Sequence, residues 1–152
     1  MRRYLLVMGM QDEMIKAVGK KEYERIVNWI LGNQLNYDAT ISIVRKDLVH
    51  DHFERANLQN NVIVSKDKEL YPFHVDQEIE VAGYCPSADV FTPTAQYDIV
   101  GISLGDTILS TAFVMFSNNI NFRVLTKYCP DRCGVDKEAL KILKTYMSTV
   151  VV

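Results

Sequence analysis

Residues 98–116 read Asp98-Ile99-Val100-Gly101-Ile102-Ser103-Leu104-Gly105-Asp106-Thr107-Ile108-Leu109-Ser110-Thr111-Ala112-Phe113-Val114-Met115-Phe116. Residues 98–103, with Ile99, Val100 and Ile102, read as a short strand. Residues 105–116 have helical length, and Ile108, Leu109, Ala112, Phe113 and Phe116 are expected to face inward. Asn118-Asn119 then breaks the pattern. A strand that feeds a helix so directly is half of a βαβ unit.

The alternation continues outward in both directions. Residues 5–8 are continuously apolar and predict a central first strand. Residues 20–31 predict a helix, with Tyr23, Ile26, Val27, Ile30 and Leu31 on one stripe and Gly32-Asn33 as its stop. Residues 40–44 and 61–65 predict the second and third strands, 98–103 the fourth and 122–126 the fifth. Residues 136–147 predict a last helix, with Asp136 as N-cap. Strands alternating with helices imply right-handed crossovers and a parallel sheet. The expected architecture is α/β: a three-layer Rossmann-like fold whose mostly parallel sheet has five or six strands flanked by helices, in one domain over residues 1–152. The stretch 66–96 contains Pro72, Pro86 and Pro93. Within it, residues 76–83 fit either a strand or an irregular excursion.

Composition narrows the partners. Lys plus Arg is 17 and Asp plus Glu is 19, a net charge of -2. Such a balance gives no general electrostatic reason to bind nucleic acid or an anionic membrane. No apolar run approaches the roughly 20 residues of a membrane helix. The apolar start at residues 4–8 is too short for a secretory segment and runs into Asp12 and Glu13. The cysteines, Cys85, Cys129 and Cys133, are odd in number and are read as reduced thiols of a cytoplasmic protein.

In open α/β sheets, ligands bind beyond the carboxyl ends of strands, where the strand order switches. Such a site would collect Gly9 to Gln11, Lys66 to Lys68, and Gly101 to Thr107. Gly105-Asp106-Thr107 also opens a helix, whose free N–H groups favour an anion or oxyanion. Gln11, Gly105 and Asp106 are therefore candidate ligand-binding residues. For Asp106 a role as helix cap is favoured over ligand contact.

At these residues the chain resembles the isochorismatase-like cysteine hydrolases, the superfamily that includes nicotinamidases. Members begin with a strand ending Asp-x-Gln; here the segment is Leu6-Val7-Met8-Gly9-Met10-Gln11-Asp12-Glu13-Met14. Members later carry Gly-Val-x-Thr-x-x-Cys-Val-x-x-Thr-Ala; here residues 101–112 run Gly-Ile-Ser-Leu-Gly-Asp-Thr-Ile-Leu-Ser-Thr-Ala. The resemblance continues through 122–126 to Cys129 and the segment around Glu138. It implies a triad of Asp, Lys and Cys. The aspartate position falls on Gly9, the nucleophile position on Thr107, and the lysine position on Lys66, with Lys68 as the alternative. A threonine hydroxyl has a far higher pKa than a thiol and needs a base beside it. The resemblance, read with these departures, implies a protein inactive as a cysteine hydrolase that binds a small molecule in its cleft or serves in assembly. The alternative is an amide or ether hydrolase with a relocated set: Lys66, Asp106 and Thr107, joined by Cys85 or by Asp47, His50 and His52.

The remaining candidates carry plainer readings. Thr107 as a first-turn helix residue bonding locally is favoured over a nucleophile. Asp47, His50 and His52 have the chemistry of zinc ligands, but nicotinamidases space theirs differently, and a solvated loop is favoured. No metal and no cofactor is expected. Cys129 and Cys133 are spaced wrongly for a zinc knuckle or a redox pair, and Cys129 is expected to fill a small-residue position after the fifth strand. His74 reads as structural or surface, Trp29 as core or interface, and Met8, Met10 and Met14 as core. A homo-oligomer is expected. No Gly-x-Gly-x-x-Gly follows the first strand, which ranks a dinucleotide binder last.

Overall fold

A computed structural model describes residues 1–45, 71–147 and 152. The strand expected at 61–65, and Asp47, His50, His52, Lys66 and Lys68, lie outside the described residues.

Strand β1, Arg2–Met8, is the centre of the sheet because it offers apolar side chains to both faces: Leu5, Leu6, Val7 and Met8 are all buried. It pairs in parallel with β2, Ala39–Arg45, on one side and with β4, Ala95–Gly101, on the other. Strand β3, Gln77–Val81, lies outside β2, and β5, Asn121–Val124, outside β4. The order β3-β2-β1-β4-β5 is parallel throughout. Its direction of progression reverses between β1 and β4, which makes their carboxyl ends the switch point.

Alternation along each strand divides the core into two layers. Leu5, Val7 and Val100 face one layer, with Met14 from helix α1, Asp12–Val18, and Ile26, Val27 and Ile30 from α2, Lys20–Asn33. Leu6, Met8, Ile41, Ile43 and Ile99 face the other. That layer is covered by Ala112 and Met115 of α3, Leu109–Ser117, and by Ala139 and Leu143 of α4, Asp136–Tyr146. Helices on both faces of a parallel sheet make the expected three-layer arrangement.

The structure decides one open expectation and corrects several others. The undecided stretch at 76–83 contains the edge strand β3. Helix α1 is absent from the sequence reading; it is only seven residues long and is separated from α2 by Gly19 at φ 95°. Helix α2 runs on through Gly32 to Asn33. Strand β4 lies at 95–101 rather than 98–103. The helix after it enters through one π-helical turn, Leu104–Ile108. Its inward face is Leu104, Thr107, Ile108, Thr111, Ala112 and Met115, while Phe113 and Phe116 are 40% and 48% exposed. The two large phenylalanines thus turn outward, and Phe113 packs on Tyr146 with ring centroids 6.4 Å apart. Strand β5 stops at Val124, two residues early. Asp136 is the first residue of α4, and the cap position is Val135, with no side-chain cap bond.

Midway along β4, where Arg3 and Tyr37 reach it from the amino end of the sheet, Asp98 is fully buried. Arg123 of β5 forks onto it, Nε to Oδ1 at 2.8 Å and Nη2 to Oδ2 at 2.6 Å. Tyr37 donates its hydroxyl to Oδ2 at 2.7 Å, and Arg3 of β1 adds an ion pair at 3.4 Å. Burial opposes ionisation, but the Arg123 and Tyr37 hydrogen bonds and the charges of Arg123 and Arg3 hold this carboxyl below its usual range. Three strands are thereby tied together at one oxygen pair.

Candidate functional site

The site is built where β1 and β4 end. Met8 pairs with Gly101, and the Ile102 amide donates to the Met8 carbonyl at 2.9 Å. Here the two backbones nearly touch. Gly9 has φ +59°, and a Cβ placed on it would lie 2.1 Å from the Ile102 carbonyl oxygen. Gly101 has φ +117°, and its Cβ would lie 2.2 Å from the Met8 oxygen. Only glycine combines a left-handed backbone with so close an approach. The Ile102–Ser103 peptide is cis.

The same Ile102 carbonyl accepts the Thr107 hydroxyl at 3.0 Å. Thr107 in turn accepts the Ser103 amide at 3.0 Å and is 2% exposed. Residues 9 and 107 are thus brought together against one carbonyl group. The first has no side chain and no room for one. The second has its proton committed to a backbone oxygen.

Next, the donors at the start of the helix are already taken. The Thr107 amide donates to Asp106 Oδ1 at 2.6 Å, and Asp106 Oδ2 is held by Arg132 Nε at 3.0 Å. The Gly105 amide donates to Asp131 Oδ1 at 2.8 Å. Asp131 also receives the Ser103 hydroxyl at 2.7 Å, the Val135 amide at 2.7 Å and the Cys133 amide. Burial works against the charge of Asp131, yet these four hydrogen bonds hold its carboxyl below the ordinary range. Ser103 is fully buried, and its oxygen accepts the Arg132 amide at 2.9 Å. Ser103 and Asp131 are the residues that the sequence reading missed. Pro130-Asp131, between the fifth strand and the last helix, is a turn signal that marks the place, but not the contact.

Gln11 is wholly buried, and its side-chain amide grips the backbone of Arg45 from both sides. Nε2 donates to the Arg45 oxygen at 3.1 Å, and Oε1 accepts the Arg45 amide at 2.9 Å. It thus imitates a strand residue and prolongs the β1–β2 pairing beyond Met8.

Cys85, Cys129 and Cys133 are all free. Cys129 is buried in the core beside β5, and burial pushes its thiol far up. Cys133 is exposed, and desolvation with the Asp106 and Asp131 charges pushes its thiol up as well. Neither has the electropositive surroundings that make a reactive thiolate. Cys85 lines a groove of about 370 Å³ beside β3 with Ile79, Val81 and Pro86. His74 is exposed and pairs with Asp76 at 2.8 Å. Trp29 is half-buried and stacks on Tyr128, ring centroids 5.0 Å apart. Met8, Met10 and Met14 are core residues. Among the described residues no cluster of three or more potential ligands could hold a metal ion, and no helix is long and apolar enough to cross a membrane.

No protein-family model and no curated protein sequence matches the chain. Solved structures do match. The nicotinamidase PncA from Bacillus subtilis superposes with a TM-score of 0.68 at 14% identity, over 100% of this chain and 99% of that one. The chain has the isochorismatase-like fold. The nicotinamidase SaPncA from Staphylococcus aureus gives 0.66 at 18% identity, over 99% of both chains. An isochorismatase family protein from Desulfovibrio vulgaris gives 0.67 at 16%, over 100% of this chain and 94% of that one. The isochorismatase-like fold is therefore retained over the whole chain length at low sequence identity.

Proposed function

We propose that this protein uses the isochorismatase-like fold without its cysteine chemistry, as a cytoplasmic small-molecule-binding or assembly protein. One observation carries the reading. The Ile102 carbonyl fills the space that a side chain at position 9 would need, and it also takes the proton of the Thr107 hydroxyl. A nucleophile needs a base that can accept that proton and return it, and a peptide carbonyl cannot do this. The two carboxylates nearest the helix start, Asp106 and Asp131, are spent on Arg132 and on backbone amides. Homo-oligomeric assembly is supported by the outward-facing Phe113 and Phe116 on α3 and Tyr146 on α4. A net charge of -2 favours neither nucleic acid nor an anionic membrane as partner.

The test is a hydrolysis assay on nicotinamide, isochorismate and N-carbamoyl amines. The expected result is no turnover above that of buffer. Turnover that disappears in Thr107→Ala would instead overturn this reading in favour of the alternative, a relocated hydrolase set of Lys66, Asp106 and Thr107.

A further inference from the structure

The crossover from β3 to β4, residues 82–94, contains no α-helix, only one 3-10 turn, Ala88–Val90. Such a crossover has few side chains to lay on the sheet. Beneath it an open groove of about 510 Å³ remains over the amino halves of the strands. The register shapes its floor. Tyr97, Tyr4 and Ala39 stand side by side on β4, β1 and β2, so two rings are followed by a methyl group, and Ile41 continues the apolar surface. Phe91 meets Tyr97 edge-on with centroids 5.2 Å apart, and Tyr4 lies tilted on Tyr97 at 5.5 Å. The charges in the lining are both negative: Asp76, just ahead of β3, and Asp89, in the 3-10 turn. Burial works against the charge of Asp76, but the Thr40 amide at 2.8 Å and His74 hold its carboxyl below the ordinary range. Asp89 is exposed, bonds to the Ser87 hydroxyl and has no ion pair among the described residues. Two cations touch lining residues, His74 at Asp76 and Arg2 at the Tyr4 hydroxyl; both are exposed and neither lines the groove.

We propose that this groove is a binding site for small linear diamines in their diammonium form, with the two charges at Asp76 and Asp89 and the methylene stem on Tyr4, Phe91 and Ile41. Two carboxylates without a lining cation repel an anion and leave a neutral chain with nothing to pair them. Aromatic faces attract an ammonium group as well as the methylenes beside it. A diammonium ion brings one charge for each carboxylate and an apolar stem for the rings between. The groove lies at the end of the sheet opposite the switch point. The inference goes beyond the reading of that end and does not rest on it.

The experiment titrates 1,5-diaminopentane, at constant ionic strength, into the 152-residue chain and follows the backbone amide resonances of Ala39, Gln77, Phe91 and Thr92. The expected result is saturable shifts at these amides, with the resonances of Gly9 and Thr107 unmoved. Ammonium chloride at matched charge and 1,5-pentanediol, which has the stem without the charge, should not reproduce them. Asp89→Asn removes one carboxylate from an exposed position and should weaken binding roughly threefold. Tyr4→Leu removes a ring and keeps an apolar side chain, and should weaken it by a similar factor, roughly threefold. A wild type without saturable shifts overturns the proposal. So does an equal response to ammonium chloride or to pentanediol, which would reduce the effect to screening or to apolar contact. Binding undiminished in Asp89→Asn places the diamine elsewhere and overturns it as well, and that variant decides the matter if Tyr4→Leu does not fold. Turnover in the hydrolysis assay defeats the non-catalytic reading of the switch-point end, whereas a silent groove defeats only the diamine site.

Discussion

The two ends of the sheet solve the same problem in opposite ways. Toward the amino end, Asp98 is completely buried and satisfied by side chains from three different segments, two of them arginines whose outer atoms still reach solvent. At the carboxyl end, Asp131 is only half-buried and draws mainly on backbone amides, with no arginine on its oxygens. The first arrangement ties strands together by charge. The second closes a turn by matching the N–H groups that a helix start leaves unpaired. Asp98 thus sets charge against charge, whereas Asp131 sets charge mainly against main-chain amides.

The largest effect is expected where the main-chain seal is attacked directly. Gly9→Asp would put back the carboxylate that the family resemblance calls for, yet it places an L-residue at φ +59° with its Cβ 2.1 Å from the Ile102 oxygen. The left-handed conformation alone costs roughly 1–2 kcal/mol. Overpacking and an unpaired buried charge bring the expected loss to about 4 kcal/mol or more. Urea unfolding should show this as a large fall in midpoint, or as failure to fold. A Gly9→Asp protein as stable as the wild type would mean that the Ile102 carbonyl yields and that the seal is soft.

A smaller effect is expected at the other end. Asp98→Ala leaves Arg123 and Arg3 facing an empty cavity, and breaking a buried pair from one side costs about 3 kcal/mol. Partial exposure of both arginines keeps the figure at the low end of the usual range. The pH dependence follows from the direction of the shift. The folded-state pKa of Asp98 lies below its unfolded value near 3.9, so its stabilisation is fully present above that value. It is lost as pH falls through the folded pKa. Asp131 is shifted in the same direction. Below about pH 4 the wild type should therefore weaken, and the slope of stability against pH should be shallower in Asp98→Ala. Equal slopes would assign the acid transition to other carboxylates.

These two ends were not equally legible in the sequence. The continuous apolar run at residues 5–8, the short strand signal at 98–103 and the helical stripe at 136–147 led to the correct layers and to a parallel sheet. Short or mixed elements escaped. Helix α1 is too short to show a period, and β3 mixes Glu78 and Glu80 with Ile79 and Val81 at a sheet edge. The stripe on residues 105–116 was right at Ile108 and Ala112 and wrong at Phe113 and Phe116, because size was read as burial. At the site, Gly9 and Thr107 were visible as departures from a motif, and their nearness to each other followed from topology. What Gly9 permits depends on a carbonyl more than 90 residues away, and no local pattern encodes such a contact. The same holds for Asp131, two of whose four donors, Ser103 and Gly105, come from across a strand and a helix.

The smallest effect is the most informative about the sealed end. Thr107→Cys restores the sulfur but not its surroundings. The thiol would inherit a site that is 2% exposed, with the Ile102 carbonyl and the Ser103 amide as its neighbours. Exchange of a bonded hydroxyl for a weakly bonding thiol costs about 1 kcal/mol, so the variant should fold. Iodoacetamide labelling, read by peptide mass, should then modify residue 107 more slowly than free glutathione, because a buried thiol without a cationic neighbour carries little thiolate. Labelling faster than glutathione would mean that the helix start still lowers a thiol pKa and that the cleft admits a small reagent. In that case the seal described for this end is open in solution, and the contrast with the Asp98 end reduces to a difference in charge alone.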